Sequence, residues 1–174
     1  GFGKLLTSRL AALWSPVQGH QLKLIWAQGF QAPPAFQKFS TAPSIRDLPA
    51  PDLKPERLNS WEAMYQFHPQ GNLQASLNVY RSQVDQFITL GNASFGSGTT
   101  TQYRNLGGVL LRGLEAELRW RKPSGLGGFL NWGIRRSEGL GTGRKVGDIA
   151  PWSANGGVEW VFSARWSLSL RGHY

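Results

Sequence analysis

The chain places two carboxylates, Glu115 and Glu117, two residues apart inside the stretch GLEAELRW. Carboxylates that close can divide the work of a general acid and a general base if they share a face. An extended chain gives them that face, because alternate residues of a strand project to the same side. It gives the same face to Arg119, and a ladder of mixed charge on a polar wall needs no catalysis to explain it. The three histidines, His20, His68 and His173, lie on separate segments without the spacing of a zinc site. The sequence has no cysteine, hence no thiolate metal site and no disulfide framework. The glycine-rich GSGTT at 96–100 lacks the lysine and the following helix of a phosphate loop, and reads as the tip of a flexible connection. These residues predict no enzyme, no resident metal and no cofactor.

What must position such side chains is a sheet. The 174 residues include 22 Gly, 8 Trp and 9 Phe but are only 17% charged, a mixture that favours strands joined by turns. The formal charge of +9 invites a nucleic-acid reading. Its basic residues are scattered, however, with Arg135-Arg136 and Arg144-Lys145 the densest pairs, so no nucleic-acid partner is predicted. The loop at 139–145 has two readings, a basic loop that touches phosphates of a ligand or a membrane surface and a solvated loop without specific function. No apolar run approaches the ~18–20 residues of a membrane-spanning helix. That leaves spanning strands open, since their alternation produces a weak hydropathy signal.

Eight segments alternate with period two. Apolar positions are, for example, Leu10, Ala12 and Trp14; Leu22, Leu24, Trp26 and Phe30; Trp61, Ala63, Tyr65 and Phe67; and Leu114, Ala116, Leu118 and Trp120. Further segments begin near Leu73, Leu130, Trp152 and Trp166. The connections alternate short and long: 15–19, 68–71, 122–125 and 163–164 are short, whereas 31–57, 83–102 and 136–151 are long. The expectation is all-β, an antiparallel meander of about eight strands with short turns at one end, as outer-membrane barrels are built. Trp14, Phe67, Trp120, Phe162 and Trp166 crowd the short-turn ends as a candidate aromatic girdle, and Phe30, Trp61, Trp152 and Tyr174 stand at the other end. Two alternatives remain at this point: a complete small eight-stranded barrel with a structural or adhesive role, and a soluble ligand-binding barrel with its apolar face inward.

Four motifs carry a resemblance. The run KLIWAQGFQAP at 23–33, ending in Ala32-Pro33, is similar to the "Y-x-x-x-F-R-A-P" segment of TonB-dependent outer-membrane receptors, with Gln31 in place of Arg. Pro51-Asp52-Leu53-Lys54-Pro55-Glu56, followed by Glu62, resembles the family's "N-P-D-L-K-P-E-x-x-x-x-x-E-x-G" signature, with Ala50 for Asn and Met64 for Gly. Tyr103 and Asn105, then Gly113, Glu115 and Glu117, resemble a "Y-x-N … G-x-E-x-E" strand, and Pro151 with Ala154 and Asn155 a loop-to-strand pattern.

The resemblance implies an outer-membrane receptor for active uptake of a metal chelate, siderophore or cobalamin-like ligand. Such barrels close on the order of 22 strands around a plug. No stretch reads as a leader, an energy-coupling box or a plug, so residues 1–174 are expected to be a partial barrel domain, a slice of a larger barrel. The partners implied are outer-membrane lipid and lipopolysaccharide, the plug and remaining strands, the TonB system and a small-molecule ligand. Within the signature, Ala50-Pro51 and Lys54-Pro55 stiffen the descent from a long loop. Asp52 suits a turn, and Lys54, Glu56 and Arg57 suit a wet rim.

Overall fold

A computed structural model describes residues 4–39, 47–69, 71–95, 98–105, 107–140, 143–146 and 150–174. In chain order the elements are β1 (Arg9–Trp14), β2 (His20–Gln31), α1 (Ala35–Phe39), β3 (Asp47–Leu48), β4 (Glu56–Phe67), β5 (Leu73–Asp85), β6 (Ile88–Phe95), β7 (Gly98–Asn105), β8 (Gly108–Arg121), β9 (Leu126–Gly139), β10 (Trp152–Ser163) and β11 (Trp166–His173). Eight of them form one antiparallel sheet in the order β1-β2-β4-β5-β8-β9-β10-β11, the predicted meander, with β1 and β11 at its edges. The inner strands run 12 to 14 residues. That exceeds the ~9–11 residues that a tilted strand needs to cross a bilayer.

The long connections differ from expectation. The 83–102 segment is not a plain loop: β5 continues to Asp85, and β6 and β7 then pair as a hairpin. β3, from the preceding long connection, adds to β7 in parallel through Asp47↔Thr101 and Leu48↔Gln102, completing a three-stranded second sheet. Tyr103 and Asn105 therefore stand on β7 of this small sheet, while Gly113 and Glu115 stand on β8 of the large one. The single "Y-x-N … G-x-E-x-E" strand is corrected to two strands in two sheets. Of the 96–100 and 139–145 stretches, residues 96–97 and 141–142 lie outside the described residues. Residues 144–145 lie against the end of β9, the Gly139 amide donating to the Arg144 carbonyl at 2.8 Å and Glu138 bridging to Lys145.

Register gives each face a distinct chemistry. One cross-strand row reads Ala12, Leu24, Ala63, Val79, Leu114, Ile134, Trp152. The row offset by one residue on the opposite face reads Lys23, Met64, Asn78, Glu115, Gly133, Ser153. The apolar face is uncovered: among the described residues the buried hydrophobics are Ile25, Ala50, Leu53 and Leu110 alone, whereas Trp166 and Leu170 are 68% and 76% exposed. A water-soluble barrel turns its apolar face inward and buries it. This sheet leaves it bare.

Its terminal aromatics do not share one hydrogen-bonded row. Trp14 lies in the row of Leu22, Tyr65 and Leu77. Phe67 lies one row nearer the short turns, Trp120 another row on, and Phe162 and Trp166 lie beyond that, at the bulged β10–β11 turn. At the other end the aromatics step the same way, from Phe30 opposite Arg57, to Trp61 opposite Trp26, to Trp152 opposite Ile134, to Tyr174 hydrogen-bonded to Ala154. Strands tilted in a barrel wall require this drift, because a level of constant height must cross successive rows. The two aromatic lines are therefore parallel to each other and oblique to the ladder.

Glycines hold the sheet closed where rings lie across it. On the polar face Tyr80 covers Gly113, where an added methyl would sit 2.6 Å from the ring and 2.8 Å from the Ile134 carbonyl oxygen. Replacing Gly113 by valine displaces that ring and crowds the backbone. Overpacking of this kind is expected to cost about 1–3 kcal/mol, read as a lower denaturant midpoint with the slope unchanged.

Candidate functional site

Two places gather the chemistry-bearing residues. The first is the junction of the long connections. Beyond β2, Ala32 is exposed and Pro33 buried. The chain then turns through α1 and returns, with the Ala50 amide donating to the Lys38 carbonyl at 3.0 Å. Pro51 and Asp52 form the corner of a turn closed by the Leu53 amide on the Ala50 carbonyl at 3.2 Å, and Leu53 is tucked under it at 5% exposure. Pro51 fixes φ within this corner and Pro55 fixes it just beyond, and the remaining amides must find partners elsewhere.

Asn105 supplies them. Its Oδ1 accepts from the Lys54 amide at 2.8 Å, and its Nδ2 donates to the Lys54 carbonyl at 2.9 Å and to the Gln86 carbonyl at 2.7 Å. One side-chain amide thus pairs with residue 54 as a neighbouring strand would. Next to it Glu56 Oε1 accepts from the Ile88 amide at 2.7 Å, and Gln102 Nε2 donates to the Pro49 carbonyl at 2.9 Å. Tyr103 packs edge-on against Phe36 of α1, ring centres 6.0 Å apart. Lys54 and Glu56 on one side and Tyr103 and Asn105 on the other, half a hundred residues apart in sequence, form one joint.

The second place is the polar face of the large sheet. Glu62 projects there opposite Ile25 and Tyr80, in the row that continues to Gly113 and Arg135. Glu115 stands in the next row, and Glu117 in the one after, ion-paired to Arg119 at 2.9 Å. Arg135 donates to Ser153 Oγ at 3.0 Å and Asn131 to Asn155 Oδ1 at 2.8 Å. Asn78, Glu115, Asn131, Arg135 and Ser153 line a groove of about 330 Å³. Asn78 Oδ1, Asn131 Oδ1 and Arg135 Nε are buried there without a partner, so the wall offers two acceptors and a donor to whatever fills the concavity. Pro151 closes the third long connection by its carbonyl, which accepts from the Arg135 amide at 2.8 Å.

The carboxylate pair is thus part of a charge ladder. The histidines stay apart: His20 bonds the Tyr65 hydroxyl, His68 contacts Gln74, and His173 lies on β11. Among the described residues no group of three potential metal-ligating side chains stands together. Of the candidate girdle, Trp14 and Trp166 are the most exposed, at 63% and 68%, and Phe67 and Trp120 are half-covered. Tyr80, Asn78, Asn131 and Arg135 were not among the expected site residues; they lie on polar positions of strands that alternate with period two, and only the register shows that they converge.

A bare apolar face, a polar face carrying unpaired hydrogen-bonding groups, short turns at one end and interlocked long connections at the other define the wall of a transmembrane-type β-barrel. The family described as TonB dependent receptor-like, beta-barrel matches residues 2–174, and the chain belongs to it. The family is one of transport receptors of the bacterial outer membrane, not of enzymes. Solved structures with the same fold include the ferric enterobactin receptor of Pseudomonas aeruginosa, at 21% identity and TM-score 0.81 over 95% of this chain and 27% of that one. The siderophore receptor PirA of Pseudomonas aeruginosa is similar at 20% identity and TM-score 0.78 over 97% of this chain and 31% of that one. The copper transporter OprC is similar at 18% identity and TM-score 0.77 over 94% and 25%. The chain therefore spans between a quarter and a third of the length of these receptors.

Asn105→Ala should free the joint. Losing the three hydrogen bonds is expected to cost about 1–3 kcal/mol locally. Faster amide exchange at Lys54, with β4 and β5 protection retained, is the measurement that checks it.

Proposed function

We propose that this chain is barrel wall of an outer-membrane receptor that takes up a scarce small ligand, of the metal-chelate, siderophore or haem class. The observation that carries the reading is the uncovered apolar face bounded by two oblique aromatic lines. Such a face is stable against acyl chains, and its Trp and Tyr rings suit the two interfaces. The short turns then face the periplasm, and the joint between the 31–57 and 83–102 connections lies outside the cell, where it presents a stiff surface to arriving ligand. Trp61 and Trp152 mark the outer interface, and Trp14, Phe67, Trp120, Phe162 and Trp166 the inner one.

In this reading β1 and β11 pair with further strands of the same barrel, since an open edge is not tolerated in lipid. The polar face looks into the lumen, where Asn78, Asn131 and Arg135 meet a plug or passing ligand. Transport is driven through the plug by the TonB system, so this segment supplies wall and external loops and not the energised part. The ligand class is supported by the names of the structural relatives, which include receptors for ferric enterobactin, for a hemophore with heme, and a copper transporter.

Residues 1–174 contain no cysteine, so orientation can be read by single replacements in the full-length protein with any cysteine outside this stretch changed to serine. A membrane-impermeant maleimide applied to intact cells should label Asn92→Cys and spare Val17→Cys and Ala164→Cys until the envelope is opened. Equal labelling of all three would sink the orientation. Uptake of ferric catecholate, haem and copper, compared with and without the gene and with the inner-membrane energy supply collapsed, identifies the cargo. Uptake of each that is indifferent to the gene removes the transport reading.

A further inference from the structure

On the apolar face, one row departs from the pattern. It begins with Leu10, Trp26 and Trp61 and continues as Arg81, Arg112 and Arg136 on the adjacent strands β5, β8 and β9. The next row toward the short turns is wholly apolar over these strands: Val79, Leu114 and Ile134. All three arginines are exposed. Directly opposed side chains on paired strands lie about 5 Å apart at their Cα atoms, and like charges so placed destabilise a sheet. Arg112 is relieved in part by Glu138, 2.5 Å away in an ion pair still 52% and 36% exposed. Among the described residues Arg81 and Arg136 have no carboxylate partner.

The row's position explains what offsets the repulsion. Trp61 on β4 and Trp152 on β10 mark the long-connection end of the apolar band, and the arginines lie at that line or one row outside it. Immediately inside it is a groove of about 640 Å³ lined by Leu114, Trp132, Ile134 and Trp152, with Arg112 and Arg136 at its outer end. Cations above an apolar groove match a ligand with phosphate at its head and acyl chains below. Guanidinium groups suit that head, since each can bind a phosphate through two parallel N–H donors.

We propose that Arg81, Arg112 and Arg136 form a binding site for a phosphorylated, acylated glycolipid of the outer leaflet, of lipid A chemistry. The proposal rests on the membrane reading above, because it takes the apolar face to be in contact with acyl chains. Phosphate neutralises the opposed guanidiniums, and one acyl chain lies in the groove beside Trp132. The site fixes lipid at β5, β8 and β9, directly beneath the joined long connections.

The test uses the full-length protein extracted in detergent and titrated with bisphosphorylated lipid A, bound lipid being counted by native mass spectrometry. Removing cations at an anionic lipid surface is expected to weaken binding roughly fivefold for each arginine. Arg136→Gln should therefore lose roughly fivefold, and the triple replacement of Arg81, Arg112 and Arg136 by Gln on the order of a hundredfold. Arg165→Gln, which removes one charge at the opposite end, should bind as the parent does. Lipid A stripped of its phosphates should bind the parent no better than the triple variant. Undiminished binding by the triple variant overturns the site, as does equal loss in Arg165→Gln. Displacement of lipid A by inorganic phosphate at matched concentration would show an adventitious ion only, and overturns it too. Heat-modifiable migration of the same preparations reports separately on the barrel. If that migration is absent the membrane reading fails, whereas if it persists with lipid binding unchanged only the arginine site fails.

Discussion

Every property of this wall follows from the register of one hydrogen-bonded ladder. Because side chains alternate with period two, a slip of one residue between any two strands would send leucine and tryptophan to the polar side and glutamate and arginine to the bare side. Register must therefore be pinned at several points, and the pins are local. Gly19 and Gly125 turn with positive φ, at 80° and 82°. The same turns are tied across the sheet by the His68 amide on the Gly19 carbonyl at 2.6 Å and the Val161 amide on the Gly125 carbonyl at 2.9 Å. Tyr80 over Gly113 in mid-sheet, and Trp120 over Gly128 near the short turns, admit one alignment of ring and glycine.

Given that register, tilt does the rest. Rows of hydrogen bonds run obliquely to the barrel axis, so a level of constant height drifts from one row to the next over the span of several strands. The drift of aromatics from Trp14 to Trp166 along one end, and from Phe30 to Tyr174 along the other, is that obliquity written in side chains. A row of arginines can accordingly belong to the same ladder rung as Trp26 and Trp61 and still reach the outer boundary of the apolar band.

The main sheet was legible in the sequence because each of its strands carries its own alternation and its own turn residues. Eight strands, their order and the sorting of connections into short and long needed no information from elsewhere in the chain. The second sheet was not legible. GTTTQYRN offers β-branched residues but no apolar face, and its parallel partner is two residues of a segment half a hundred positions earlier. The motifs around Lys54 and Asn105 were visible as separate resemblances, but their hydrogen bonds belong to no local pattern. The arginine row was hidden most completely: Arg81, Arg112 and Arg136 looked scattered until pairing aligned three strands.

The Asn105 side chain has a further consequence. By pairing with residue 54 as a peptide group would, it makes two long connections into a single mechanical body. At that joint neither can be moved or exchanged with that of a relative without its counterpart. Variation in this part of the molecule is thereby confined to the remaining stretches of each connection, and a graft that aims to transfer recognition must carry both connections together.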